Sequence, residues 1–258
     1  MRGIEMNWSQ VARAYLDLQQ LRISAEHRIR KAEDEEIKKM LIEHHQRLKA
    51  EEKLLLKEIE KRIKQEFLWQ WCLNVKGLGV VGALTFLGFI NPERCDTAGK
   101  ARAYLGLIPG VELKSGKKIS FNPEAKGRIW LITRNIIMAK DPYYYELYTR
   151  KKEYYLNNER KVFYNGEWIT FPPFKEILED PTKCPFYMEC VKKYKAKAER
   201  LGREAKPVSC RAHLDNMAKR WLASLLVAHA TELMRRSLGL PVDNFKKHHN
   251  YIPPKGFS

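Results

Sequence analysis

The chain has 258 residues and carries 48 Lys and Arg against 31 Asp and Glu, a formal net charge of +17. Hydrophobic residues make up 44% of the sequence, which is enough for a buried core and excludes a wholly disordered chain. A charge excess of this size favours a polyanionic partner, because each neutralised phosphate releases counterions. The alternative, a charge-rich surface of the thermophile kind, enriches both signs and leaves no such surplus.

No stretch of the sequence resembles a signal peptide or reaches the length of about 18 apolar residues that a membrane span needs. The most apolar stretches, 80–90 and 222–230, are shorter. We therefore expect a cytoplasmic protein without membrane contact. The five cysteines, an odd number in a basic chain, favour reduced thiols or metal ligands over a disulfide framework.

The N-terminal part is predicted to be helical, since residues 4–76 contain neither glycine nor proline. Apolar residues recur every three or four positions in both halves and would form an apolar seam along each helix. Arg22, His44 and Glu51 interrupt this seam. An interrupted seam favours an antiparallel hairpin or a dimer over a tight zipper. We predict that residues 1–72 form a helical hairpin or coiled coil that bends in a charged run at 31–36 and mediates a homodimer.

The rest of the chain is divided into two predicted segments. Residues 73–150, rich in glycine and small apolar residues, are predicted to form a helical domain. Residues 151–258 are predicted to hold a proline- and aromatic-rich insertion with a small β-hairpin at 162–169, followed by two helices. The last helix has one apolar face and stops at Gly239. Strands and helices do not alternate, so the expected fold class is mainly α.

The segment 76–84, Lys-Gly-Leu-Gly-Val-Val-Gly-Ala-Leu, predicts a helix–hairpin–helix. Gly77 and Gly79 supply backbone angles that side chains disfavour. Lys76 and the amides that begin the second helix would then face a DNA phosphate, a contact that carries no base information. A dinucleotide site is disfavoured because no strand precedes the turn and no third glycine follows at the required spacing. The remaining alternative is a glycine-mediated helix crossing that binds nothing.

A basic loop follows at 114–118, with the sequence Lys-Ser-Gly-Lys-Lys. A serine hydroxyl among lysines can attack a phosphodiester, because the cations lower its pKa and offset the developing charge. The same composition is also typical of a plain turn or of a loop that binds phosphate without catalysis. The candidate DNA-binding residues are those of the glycine turn, Lys76, Gly77 and Gly79, and the basic residues Lys114, Lys117, Lys118, Lys126, Arg128 and Arg134.

These segments, in this order, resemble the C-terminal domain of insertion sequence 110 family transposases, the bridge-RNA-guided recombinases. The resemblance lies in 51–79, 103–109, 115–117, 127–129 and, more loosely, 205–241. In that family the serine of the serine–glycine loop is the nucleophile that becomes covalently linked to DNA. The resemblance therefore implies a catalytic role for Ser115, with DNA as the partner and RNA as a second candidate partner.

The chain departs from this family at its N-terminal side. Family members begin with a RuvC-like domain that carries four acidic metal ligands, whereas this sequence has only helical character before residue 73. We therefore expect a DNA-binding protein derived from or related to a transposase. The alternatives are an active serine recombinase subunit that needs a separate RuvC-like partner, and a helical assembly protein with a basic surface.

Two further groups of residues suggest binding. The potential zinc ligands Cys184, Cys190, Cys210 and His213 end in a Cys-x-x-His pair that suits a tetrahedral structural site, although the first spacing is wide. Buried thiols with a surface histidine are the alternative. Six tyrosines between 143 and 155 are interleaved with three cations, a pattern that can stack on unpaired bases while the cations follow phosphates. At helical spacing, about half of these tyrosines should be core.

Overall fold

The computed structural model describes residues 6–108, 116, 119–164, 166–205, 208, 210–246 and 252. Over these residues the protein is mainly helical and contains one two-stranded sheet, which confirms the expected fold class. In chain order the elements are α1 (Trp8–Lys31), α2 (Glu35–Ile63), α3 (Phe67–Leu73), α4 (Gly79–Phe89), α5 (Ala98–Tyr104), α6 (Pro123–Met138), α7 (Tyr144–Asn157), β1 (Arg160–Tyr164), β2 (Glu167–Phe171), α8 (Phe174–Glu179), α9 (Tyr187–Arg200), α10 (Arg211–Ser237) and α11 (Asp243–Lys246).

Helices α1 and α2 pack against each other in antiparallel orientation. The chain turns between them within the charged run, where the Asp34 side chain caps α2 by accepting backbone N–H groups. Trp8 Nε1 donates to Glu66 Oε1 at 2.8 Å near one end of the pair. Further along, the Tyr15 hydroxyl donates to Glu52 Oε1 at 3.1 Å. Polar side chains thus bridge the two helices in addition to their apolar contacts.

Helix α10 is the centre of the main core and contacts α3, α4, α5, α6 and α7. Every side chain from residue 225 to residue 235 is buried, so this part of the helix is covered on all sides and not along one face only. Its charged groups have partners, since Arg235 donates to the carbonyls of Pro241 and Pro92, and Arg236 pairs with Glu232. Without such partners, burying these groups would cost several kcal/mol.

The main apolar cluster draws residues from all three predicted segments, for example Tyr15, Ile129 and Leu226. A second apolar group, here called the insertion cluster, consists of Phe171, Phe174, Ile177, Cys184, Cys210 and Leu214. Because α10 supplies residues to both, it joins the insertion to the rest of the protein.

The predicted β-hairpin is present. Strands β1 and β2 pair in antiparallel register, with Val162 opposite Ile169, and both residues pack against the insertion cluster. Gly166 in the connection has a φ of +91°, as a tight hairpin turn requires.

Candidate nucleic-acid interface

The glycine turn lies between α3 and α4 and exposes both glycines. Gly77 has a φ of +90° and Gly79 a φ of +49°, so both take the left-handed conformation that favours glycine. Leu78 between them is only 3% exposed and anchors the turn in the main core. A helix on either side of a Gly-Leu-Gly turn is the local arrangement that the sequence predicts.

The two glycines differ in their surroundings. A Cβ atom at Gly77 would lie 2.7 Å from the carbonyl oxygen of Asn135, so this glycine permits the close approach of the turn to α6. A Cβ atom at Gly79 would meet nothing within 4 Å. No side chain caps the start of α4, so its first N–H groups have no side-chain acceptor. The open side of the turn is therefore the side of Gly79.

One buried carboxylate, that of Asp141, fixes the turn. Its Oδ2 accepts the backbone N–H of Lys76 at 2.9 Å, and its Oδ1 accepts those of Tyr143 and Tyr144 at 3.1 and 2.8 Å. The turn is thereby tied to the start of α7. Our sequence analysis missed this residue, although an aspartate shortly before a helix is a familiar capping signal.

The turn borders a cleft of about 630 Å³, here called the turn cleft. Helix α1 contributes Gln19 and Arg22 to its lining, and α6 contributes Arg128, Leu131 and Asn135. The rest of the lining includes Leu56, the glycine turn and the first turns of α4. Three segments that are distant in sequence therefore meet at the start of α4.

The arginines of the turn cleft are held in place by polar partners. Arg22 Nε donates to Glu52 Oε2, and Arg128 Nη1 donates to Gln19 Oε1. Gln19 Nε2 in turn donates to Glu52 Oε1 at 3.2 Å. Burial raises the pKa of Glu52, but the hydrogen bonds from Arg22 and Gln19 outweigh it and hold the pKa below its ordinary value. Burial, followed by the charge of Glu52, raises the pKa of Tyr15 to about 12.

Arg128 is the uncompensated cation of this network. Arg22 and Glu52 neutralise each other, whereas no carboxylate of the described residues lies within 4.0 Å of Arg128. A partly buried guanidinium without an acidic partner can bind an anion with paired N–H groups. The turn cleft therefore has an unpaired positive charge close to the uncapped start of α4.

The structure separates the predicted DNA-binding residues into different places. Lys76 is exposed on the turn, and Arg134 is exposed on α6 one turn beyond Leu131. Lys126 lies on another side of α6, where its ammonium is 4.7 Å from the ring centre of Phe121. The predicted nucleophile Ser115 and the predicted DNA-binding residues Lys114, Lys117 and Lys118 lie outside the described residues.

The four predicted zinc ligands do not form a metal site in this structure. Among the described residues, no group of three or more His, Cys, Asp or Glu side chains is arranged to hold a metal ion. Cys184 and Cys210 are buried in the insertion cluster, and the His213 ring packs edge-on against Phe174 with 5.6 Å between ring centres. Apolar packing thus accounts for Cys184 and Cys210, whereas Cys190 is only partly buried and lies outside this cluster.

No helix in the described ranges combines the length and apolar character that crossing a bilayer requires. No protein-family model, curated protein or solved structure matches the chain. The resemblance to transposases therefore stays a prediction.

Proposed function

We propose that the protein binds DNA through the sugar–phosphate backbone, with the turn cleft and its exposed glycine turn as the contact surface. The observation that carries this proposal is the meeting of the glycine turn, the uncapped start of α4 and the unpaired Arg128 at one cleft. The net charge of +17 supports the same class of partner.

Each part of the turn cleft has a physical role in this proposal. A phosphate near Gly79 accepts N–H groups from the start of α4, where the helix dipole also favours negative charge. Arg128 donates to the same or the next phosphate as a planar fork. Gln19 holds that fork in position, so less side-chain entropy is lost on binding. Because these groups contact the backbone only, the expected binding is largely independent of base sequence.

The experiment that tests this proposal compares two charge-removing variants on a short DNA duplex by fluorescence anisotropy. Arg128→Gln should weaken binding about three- to ten-fold and reduce the slope of log affinity against log salt by about one. Arg30→Gln is the matched control, because Arg30 carries the same charge but is exposed at the far end of α1 and pairs with Glu26. The proposal would be overturned if Arg128→Gln and Arg30→Gln changed duplex affinity equally, or if the affinity of the natural protein did not depend on salt.

A derivation from transposases, and a catalytic Ser115 in a recombinase subunit with a RuvC-like partner, are supported by the resemblance alone. A covalent-trapping assay on supercoiled DNA with divalent metal addresses them. A protein–DNA adduct formed by the natural sequence and lost in Ser115→Ala supports a nucleophilic serine. The absence of an adduct in both, with and without a partner extract, would remove the enzymatic alternative.

We also propose a homodimer formed through α1 and α2. Four large apolar side chains of this hairpin are at least half exposed in the single chain, namely Leu21, Ile37, Met40 and Leu54. A second copy of the chain packed on these helices would cover such side chains, and the burial of apolar surface favours association. Light scattering should give the mass of a dimer for the natural sequence and of a monomer for Met40→Glu, and a monomeric natural protein would contradict the proposal.

A further inference from the structure

A second cationic region lies on α6, α7 and α10, and its central feature is Lys151. The Lys151 ammonium lies 4.3 Å from the ring centre of Tyr154, 4.9 Å from that of Tyr155 and 5.6 Å from that of Trp221. Tyr154 and Tyr155 pack edge to face, with 5.8 Å between ring centres. The rings stabilise the ammonium through their electron-rich faces, and burial lowers the pKa of Lys151.

Arg160 and Arg220 lie near Tyr155, and a further cation, Lys126, lies near Arg220. Arg220 precedes Trp221 on α10 and is exposed, and Arg160 of β1 lies 5.4 Å from the ring centre of Tyr155. Burial, and then the charge of Arg220, lowers the pKa of Lys126 on α6. Desolvation, followed by Arg160 and Arg220, lowers the pKa of His213. Arg220 therefore acts on Lys126, and Arg160 and Arg220 both act on Tyr155 and His213.

Carboxylates do not compensate this charge. Within the described part of the chain, no Asp or Glu oxygen lies within 4.0 Å of Lys126, Lys151, Arg160 or Arg220. The neighbouring Lys152 and Lys219 show the contrast, since both pair with Asp215, at 3.3 and 2.5 Å. Mutually repelling cations without acidic partners raise the free energy of the unbound protein, and a bound polyanion relieves that repulsion.

The aromatic rings indicate which polyanion fits. Tyr154 is 47% exposed, and Tyr155 and Trp221 are partly buried beside it. An exposed ring next to cations can stack on a base only where that base is unpaired, because the bases of a duplex are stacked on each other. A free phosphate or a duplex backbone would engage the cations and leave the rings without a role.

We infer that Lys126, Lys151, Tyr154, Arg220 and Trp221 form a cationic–aromatic surface that binds single-stranded nucleic acid. The rings stack on unpaired bases, and the cations hold the phosphates that flank them. The inference shares the class of partner with the proposed function, but it concerns a different surface and does not require the turn cleft.

The test uses the full chain with three fluorescent probes of equal length: oligo-dT, a DNA strand whose sites are all abasic, and oligo-rU. Tyr154→Leu keeps an apolar side chain but removes the ring, and Arg220→Gln removes an exposed charge. Tyr194→Leu on α9 is the matched control for the ring, since Tyr194 is also exposed, at 38%. Thermal melting confirms that each variant is folded before its binding is compared.

The natural protein should bind oligo-dT more tightly than the abasic strand. Tyr154→Leu should weaken oligo-dT binding about five-fold or more without affecting the abasic strand, because stacking requires bases. Arg220→Gln should weaken both. Equal effects of Tyr154→Leu on the two strands, or an effect no larger than that of Tyr194→Leu, would overturn the inference. Equal affinities for oligo-rU and oligo-dT would indicate that the surface recognises bases and phosphates without reading the sugar. A higher affinity for one of the two would identify the bound strand as RNA or as DNA.

Duplex binding separates this inference from the proposed function. Tyr154→Leu should leave duplex affinity unchanged, and Arg128→Gln should leave oligo-dT affinity unchanged. If Arg128→Gln fails to weaken duplex binding while Tyr154→Leu still weakens oligo-dT binding, the turn cleft proposal is wrong and the cationic–aromatic surface stands. If Arg128→Gln removes oligo-dT binding as well, one surface serves both ligands and the inference is wrong.

Discussion

The turn cleft and the cationic–aromatic surface hold their cations by different means. In the turn cleft, Arg22 is fixed by Glu52 and Arg128 by Gln19, both through directed hydrogen bonds. On the cationic–aromatic surface, Lys151 rests on the faces of aromatic rings, a contact with little directional constraint. Hydrogen bonds fix the direction of a guanidinium, whereas ring faces place a charge and leave its orientation free.

If both surfaces bind nucleic acid as proposed, this difference suits them to different forms of the same polymer. Fixed donors match the regular phosphate spacing of a duplex, and an uncapped helix start adds further fixed donors. Charges resting on rings match a flexible strand, because the bases themselves can complete the contact by stacking. If the two surfaces act independently, a change at one should leave the ligand affinity of the other unaltered.

The largest effect is expected at the glycine that shapes the turn cleft. Gly77→Ala should destabilise the protein by about 2–4 kcal/mol, because a φ of +90° is strained for alanine and the new Cβ would lie 2.7 Å from a backbone oxygen. Gly79→Ala is the control and should cost only about 1–2 kcal/mol, since its Cβ would meet nothing within 4 Å. Urea unfolding measures the free energy of unfolding of both variants. Equal losses of stability would show that the close packing of Gly77 against α6 does not matter.

Lowering the pH should weaken the core beneath both surfaces alike. Trp71 Nε1 donates to the Tyr144 hydroxyl at 3.0 Å, that hydroxyl lies 2.8 Å from His229 Nδ1, and His229 Nε2 bonds to the carbonyl of Ile252. Burial, followed by the charge of Arg102, lowers the pKa of His229 to about 3. The unfolded chain therefore binds a proton first, and stability is lost as the pH falls below the unfolded value of about 6.5.

Between pH 7 and pH 5 this single group should remove about 2 kcal/mol of stability. His229→Gln, which retains hydrogen-bonding groups but does not titrate, should show a correspondingly flatter dependence of unfolding free energy on pH. Chemical denaturation at both pH values provides the measurement. If the free energies of unfolding of the natural protein and of His229→Gln change in parallel with pH, the titration of His229 does not contribute to the pH dependence of stability.

A smaller effect is expected at Glu52, and it should distinguish the two surfaces most sharply. Glu52→Gln leaves Arg22 with only its longer pair to Glu26, at 4.0 Å, so the turn cleft gains positive charge, duplex affinity should rise about three-fold and the salt slope should steepen. Stability should fall by about 1 kcal/mol, because the ion pair with Arg22 becomes a hydrogen bond from the guanidinium to an uncharged amide. Affinity for oligo-dT should not change. A rise in affinity for both ligands would indicate a general charge effect and contradict the separation of the surfaces.

Local sequence patterns determined the helices, the glycine turn and the β-hairpin. Residues 4–76 lack helix-breaking residues, Gly77 and Gly79 take the positive φ angles that only glycine accepts readily, and Gly166 does the same in the hairpin. These features depend on neighbours within a few positions, so the residue types carry the information directly. Arg128, a candidate contact from the sequence, lines the turn cleft, and its contact with DNA stays a prediction.

Only the tertiary structure decided how these parts combine. The carboxylate that fixes the turn, Asp141, lies 65 residues from Lys76, and the partner of Arg128 lies 109 residues away. The burial of α10 on all sides depends on five helices whose positions its own periodicity does not encode. The spacing of Cys184, Cys190, Cys210 and His213 suggested zinc, whereas among the described residues no group is arranged to hold a metal ion, and Cys184 and Cys210 lie in the insertion cluster. Residue spacing encodes local angles, whereas the burial and pairing of a charge depend on which distant segments the core brings together.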